Sequence, residues 1–307
     1  MKKILFLGLN SNQVPYAKEI KQMGFYIVGT DLNDDAPGVK LIDKFYKCGY
    51  NNYDKLIKIG EKESFSSEDK VFTASAQFAH LGASYFAHKF NIKYPKFDDI
   101  NICLDKSFYY TFFQQNNIPL PKTWYVKTKK ELEKVLSEQS LENSFYLKSD
   151  NSKNPKYVYS FLNKNLKEVE INWKKDRYFQ EYYILQEEFY GEHIRVNIFG
   201  DKLLVYHFEI DKLNDGKQYQ IDLIKNSKVL ETLKELLKKL NMENWLLKFD
   251  VIVNKDFEFV VLDIGMDPPY RMLKDYTNKQ KNFEKSYCEM YLLSRENFLI
   301  YDGMLND

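Results

Sequence analysis

Up to residue 90, short apolar runs alternate with amphipathic ones, and this alternation constrains the fold more than any other feature of the chain. Lys3–Gly8 is a nearly continuous apolar run, long enough for a strand and too short for a helix. Val14–Met23 carries helical spacing and stops at Gly24, and Phe25–Thr30 is a second apolar run ending at Asp31. Past the turn signal Asp35-Ala36-Pro37-Gly38, Leu41–Tyr46 reads as a third short element. Tyr53–Lys62 reads as a helix, Asp69–Thr73 as a strand and Ala74–Phe90 as a helix. Strands apolar on both faces, interleaved with helices, predict a parallel sheet covered on both sides. Such sheets take ligands at the carboxyl ends of their strands, where Asp31, Asp34 and Asp35 lie. A dinucleotide site would need closely spaced glycines after the first strand. The sequence there is Gly8-Leu9-Asn10-Ser11-Asn12, so nicotinamide binding is not expected.

A length of 307 residues suggests about two domains. With 45 basic against 44 acidic residues, net charge +1, no nucleic acid or anionic membrane is called for as a partner. Cys48, Cys103 and Cys288 form no CxxC pair and have no histidine at zinc spacing, as expected of reduced thiols in a cytoplasmic protein. The apolar run at the start, Ile4–Leu7, is broken by Gly8 and is too short for a signal peptide. No run approaches the roughly 18 apolar residues of a membrane span.

Tyr94–Asp99, with Pro95 and two aspartates, reads as a boundary, so domains 1–96 and 97–307 are expected. Beyond it, Ile102–Asn116 reads as a helix, Ile118-Pro119-Leu120-Pro121 as an extended connector and Lys129–Glu138 as a helix. Phe145–Lys148, Lys153–Phe161 and Tyr183–Phe189 read as strands. His193–Phe208 reads as a hairpin about the Gly200-Asp201 turn. That pairing puts Val196, Ile198, Leu203 and Val205 on one face, and Arg195, Asn197 and Tyr206 on the other. Lys228–Leu240 is amphipathic, with Leu230, Leu233, Leu236, Leu237 and Leu240 on one side, and the C-terminal end reads as helical.

Trp245–Val253 and Phe257–Ile264 are rich in β-branched and aromatic residues, and Asn254-Lys255-Asp256 between them is a polar turn. A four-residue loop pairs Asn254 with Phe259 and, counting outward, Asp250 with Asp263. Directly opposed carboxylates repel. Something positive should therefore sit between them, and a hard divalent cation such as Mg²⁺ suits two oxygen ligands. A register one residue off would instead separate the two side chains.

Taken in order, several passages resemble the ATP-grasp superfamily, in the group similar to the large chain of carbamoyl-phosphate synthase. Asp105-Lys106 followed by Asn117-Ile118-Pro119-Leu120-Pro121 resembles its "DK … gIPxP" passage, and Tyr146-Leu147-Lys148 its second lysine strand. Leu185-Gln186-Glu187-Glu188-Phe189-Tyr190-Gly191-Glu192 resembles its hinge. Phe249-Asp250-Val251 and Leu262-Asp263-Ile264 resemble its two metal-ligand strands. The resemblance implies an α/β chain: a Rossmann-like domain, then an ATP-grasp domain with a lid over about 122–188 and a metal-binding part over 189–307. It implies ATP held by Lys106 and Lys148 at the phosphates, by Gln186, Glu187 and Phe189 at adenine, and by Glu192 at the ribose. Mg²⁺ would lie on Asp250 and Asp263, with Arg195 and Arg271 serving catalysis. Read alone, each lysine is better explained as a solvated side chain of a lysine-rich chain, and Arg195 could equally be exposed.

The sequence departs from the family in three places. Gly265 stands where the family's second metal strand carries asparagine. The next arginine is Arg271, beyond Pro268-Pro269, and residues 149–156 contain no glycine where the family has a glycine-rich phosphate loop. The activity implied is an ATP-dependent carboxylate–amine ligase acting through an acyl phosphate on small molecules, and a homodimer is one expectation. His80, His88, His193 and His207 form no dyad, in keeping with chemistry that needs no covalent nucleophile. The missing asparagine and the glycine-free loop motivate one alternative, a nucleotide-binding or regulatory protein that has lost catalysis, and a further alternative is a kinase that releases a phosphorylated product.

Overall fold

Among the described residues, the strands form three four-stranded sheets. The computed structural model describes residues 1–75, 77–149, 158–168, 171, 182–199, 202–207, 223–266 and 283–293. The first sheet is parallel, with β1 (Lys3–Leu7), β2 (Tyr26–Asp31), β3 (Lys44–Lys47) and β4 (Lys70–Thr73) in the order β3-β2-β1-β4. Ile4 and Phe6 pack to one side, against α1 (Val14–Gln22) and α8 (Phe283–Leu293). Leu5 and Leu7 pack to the other side, against α2 (Tyr53–Lys62) and α3 (Ala79–Lys89). This burial on both faces is why the strands read as unbroken apolar runs. Two boundaries differ from the sequence reading. The third element is a 3-10 turn over Pro37–Leu41 followed by β3. Helix α3 begins at Ala79, because the Thr73 hydroxyl accepts from Ser75 N and holds a turn after β4.

The helix expected over Ile102–Asn116 is two helices, α4 (Phe97–Leu104) and α5 (Lys106–Gln115). Asp105 breaks them apart. Its backbone is extended, and its carboxylate accepts from Ser107 N at 2.9 Å and Ser107 Oγ at 2.5 Å, capping α5. Lys106 thereby becomes the first residue of α5, and α5 buries Tyr109, Tyr110 and Phe113 in the largest core.

The second sheet is antiparallel, in the order β5-β8-β6-β7: β5 (Thr123–Val126), β6 (Ser144–Ser149), β7 (Val158–Leu162) and β8 (Tyr183–Glu187). Leu132 and Leu136 of α6 (Lys129–Ser137) cover its apolar face. β5 went unread in the sequence, since it is four residues long and lies just after Pro121. Of the strand expected over Lys153–Phe161, the part after residue 157 is β7, and residues 150–157 lie outside the described residues.

The third sheet runs β10-β9-β11-β12, with β9 (Glu192–Phe199), β10 (Lys202–His207), β11 (Leu247–Val253) and β12 (Phe259–Gly265). Ile194, Val196, Ile198, Phe249, Val251 and Val253 form its core face, in one cluster with Leu233, Leu236 and Leu237 of α7 (Val229–Lys239). Phe199 pairs with Lys202, and the Gly200-Asp201 turn expected between them lies outside the described residues. The β11–β12 register differs from the expected one at the loop: Val253, not Asn254, pairs with Phe259. Asn254 belongs to the turn. Its amide oxygen accepts from Asp256 N and Glu258 N, and Phe257 takes a left-handed φ of 62°. A bulge between Asp250 and Val251 then absorbs Leu262 and brings Asp250 opposite Asp263 after all.

The link from β8 to β9 passes close over the end of β11 at Gly191, where an added Cβ would lie 2.5 Å from the Val253 carbonyl oxygen. Both partners there are backbone and cannot swing aside. Gly191→Ala should therefore destabilise the protein by about 1–3 kcal/mol, read as a lower midpoint in urea unfolding.

Candidate functional site

The polar face of the third sheet carries two carboxylates and their cations. Asp250 lies between two cross-strand partners, Asp263 on β12 and Arg195 on β9. Arg195 donates in bidentate fashion, Nε to Oδ1 at 2.6 Å and Nη2 to Oδ2 at 2.8 Å. Asp263 Oδ1 accepts from Tyr109 OH at 2.8 Å and from Ile264 N at 3.0 Å, and Lys106 Nζ lies 3.5 Å from Oδ2. The positive charge that the opposed carboxylates require is thus supplied by Arg195 and Lys106. With those cations in place, the opposition of the carboxylates is not by itself a sign of a metal ion.

Lys148 enters from β6 of the second sheet. Its ammonium donates to Tyr110 OH at 2.5 Å, and that hydroxyl donates to the Leu262 carbonyl at 2.7 Å. The bulge frees this carbonyl from the regular ladder. Burial, and then the neighbouring Lys106 cation, push Lys148 down to about 7. Burial, reinforced by the Asp263 carboxylate, drives Tyr109 and Tyr110 well above the usual tyrosine value, so both act as neutral hydroxyls.

The donor set suits Mg²⁺. Among the described residues no group of three or more His, Cys, Asp or Glu converges on one point. Magnesium is commonly held by one or two carboxylates, with phosphate oxygens and water completing its octahedron. Asp263 has a side chain 43% exposed, and its Oδ1 is already oriented by Tyr109 and Ile264. The Asp250 side chain is the more enclosed of the two, at 11%.

Of the residues singled out in the sequence, Lys106, Lys148, Arg195, Asp250 and Asp263 come together here. Gln186 joins them from below. Its Oε1 lies 3.2 Å from Tyr110 OH and its Nε2 donates to Thr123 Oγ1. The Glu187 carboxylate is engaged elsewhere, by Asn143 Nδ2 at 2.9 Å and Lys122 Nζ at 3.2 Å. The N–H groups of Glu187 and Glu188 donate to the carbonyls of Lys122 and Ser144. Phe189 is half-buried just past β8, and Glu192 opens β9 opposite Val253. Arg271 lies outside the described residues. Tyr109 and Tyr110 were missed in the sequence. Their signal was their place one turn into a helix capped by Asp105, on the side of Lys106.

No family model and no curated protein matches the chain. Solved structures do. N5-carboxyaminoimidazole ribonucleotide synthetase from Thermotoga maritima superposes with a TM-score of 0.68 at 16% identity, over 95% of this chain and 76% of that one. Phosphoribosylglycinamide synthetase from Anaerococcus prevotii gives 0.65 at 17%, over 98% and 77%. This chain has the ATP-grasp fold. L-amino acid ligase from Bacillus licheniformis shares that fold with it, at a TM-score of 0.63 and 14% identity over 95% and 74%. Further ATP-grasp matches were solved with ADP bound. No described helix is long and apolar enough to cross a membrane, and Cys48, Cys103 and Cys288 are buried and outside any disulfide.

The Arg195–Asp250 pair is largely enclosed, with side chains 18% and 11% exposed. Removing one partner leaves the other charge buried, at a cost of about 3–5 kcal/mol, whereas replacing both with apolar residues is often close to neutral. Arg195→Met should therefore lower the denaturation midpoint sharply, and Arg195→Met with Asp250→Leu should recover most of the loss.

Proposed function

We propose that the protein is an ATP-dependent ligase that joins a small-molecule carboxylate to an amine through an acyl phosphate. The observation that carries this reading is the convergence of Lys106 and Lys148, from separate elements, beside the opposed Asp250–Asp263 pair of an ATP-grasp fold. Lys106 and Lys148 would hold phosphate oxygens as point charges. Tyr109 orients Asp263 toward an ion, and Asp250, both of whose oxygens accept from Arg195, would join it by exchanging one of those bonds for the metal. Mg²⁺ held there would withdraw charge from the leaving phosphate. At the hinge, the committed N–H groups of Glu187 and Glu188 move the adenine contact toward Phe189, with Glu192 at the ribose. The substrate carboxylate takes the γ-phosphoryl group and ADP departs. The amine then adds to the acyl carbonyl, phosphate leaves, and the amine gives up a proton. The chain's contribution is placement and charge stabilisation.

Gly265, in place of the family's asparagine, favours a second reading in which nucleotide binds without turnover. Incubation with Mg·ATP and a pool of amino acids and organic acids decides between the two. The ligase reading expects ADP and an amide, both abolished by Asp263→Asn, which keeps the fold and loses a charged ligand. Binding without ADP release supports the regulatory reading. A phosphorylated product without an amide identifies a kinase.

Lys148 gives the nucleotide step a pH signature. Its folded-state value of about 7 lies below the ordinary lysine value. The unfolded chain therefore binds more protons between the two, and this group's contribution to stability rises with pH across that window. A polyphosphate favours the ammonium form, so binding should raise the value again. Mg·ATP affinity should fall as pH rises above 7, with net proton uptake at a pH of about 8. Calorimetry in two buffers of different ionisation enthalpy reads the uptake, which should vanish in Lys148→Met.

A further inference from the structure

One side chain on the same sheet face has no role in the scheme so far. Asn197 is 1% exposed, and neither its amide oxygen nor its amide nitrogen has a hydrogen-bond partner. It follows Arg195 by two residues on β9 and so shares the polar face. Directly opposite it on β11 is Lys248, and opposite Lys248 on β12 is Gly265. The row Asn197–Lys248–Gly265 thus runs parallel to the row Arg195–Asp250–Asp263, two residues along each strand.

A buried amide with both ends unsatisfied is costly, and an apolar side chain of similar size would relieve it. An external ligand would relieve it too, and two distances decide which ligand. Strands lie about 4.8 Å apart, so Asn197 stands roughly 10 Å across the sheet from β12. Magnesium needs its oxygens at about 2.1 Å. Asn197 therefore does not replace the asparagine missing at Gly265. Its neighbour on β11 is Lys248, a partly exposed cation already engaged with another group, and the amide is uncovered when that flexible stem exchanges its partner for a ligand. Gly265, though itself buried, places no side chain on the far flank of Lys248.

We infer that Asn197 and Lys248 form the subsite for the substrate carboxylate. The Asn197 Nδ2 donates to a carboxylate oxygen, Lys248 balances its charge, and Oδ1 accepts an N–H of the incoming amine. This inference rests on the ligase reading and adds to it where the second substrate group lies.

The test compares wild type with Asn197→Leu and Asn197→Ala. Without ligands, Asn197→Leu should melt at the same temperature as wild type or higher, since it removes an unsatisfied amide. Calorimetry with Mg·ATP should give affinities within about twofold of wild type for both variants. With saturating Mg·ATP and a limiting pool of amino acids and organic acids, ADP release should fall at least about tenfold in both, through a raised KM for the pool. A clear fall in melting temperature for both variants means that the amide is bonded internally and overturns the inference. Tenfold weaker Mg·ATP binding, which would make Asn197 a nucleotide residue, overturns it as well. So does ADP release at the wild-type rate in Asn197→Ala, whatever the leucine variant does to the fold. A wild type that releases no ADP with the pool overturns the ligase reading and this inference with it.

Discussion

Two negative charges held face to face are the constraint around which this site is arranged. Opposed carboxylates on neighbouring strands repel, and the fold answers with cations from two directions: Arg195 within the same sheet and Lys106 from the start of α5. The tyrosines after Lys106 extend the arrangement. Tyr109 orients one carboxylate, and Tyr110 joins Lys148 of the second sheet to a β12 carbonyl of the third. The small geometric irregularities follow from the same need. Asp105 breaks a helix so that Lys106 starts a new one, and a bulge at Leu262 sets Asp263 opposite Asp250.

Much of this was legible in the sequence, for identifiable reasons. The parallel sheet was readable because its strands are buried on both faces and leave unbroken apolar runs. Helices α2, α6 and α7 were readable from their apolar spacing. The opposition of Asp250 and Asp263 was also read, though by an argument in which two errors cancelled. The loop holds one residue more than assumed, since Asn254 turns its side chain back onto the backbone, and the bulge restores the count. Spacing alone does not reveal a bulge, because the extra residue is an ordinary leucine.

The misses share a cause. β5 is too short to show a period. Tyr109 and Tyr110 look like core aromatics, and only their hydroxyls, which reach residues about 150 positions away, give them a polar task. In the sequence Arg195 reads either as a catalytic side chain or as an exposed one. Its bidentate partner is set by a strand pairing 55 residues apart, which no local pattern encodes. Local chemistry could name the ionisable groups, and long-range pairing decided which of them meet.

The count of charges in the cluster has a consequence for how a ligand arrives. Lys106, Lys148 and Arg195 face Asp250 and Asp263, three potential cations against two anions. With Lys148 lowered to about 7, near neutral pH the surplus positive charge is partly shed by loss of a proton. The resting cluster therefore projects little field into solvent, and an anion gains little attraction from it at a distance. An anion bound there, as the proposed ligase reading requires, would restore the third ammonium on contact. A site of that kind would discriminate by close fit and not by long-range capture.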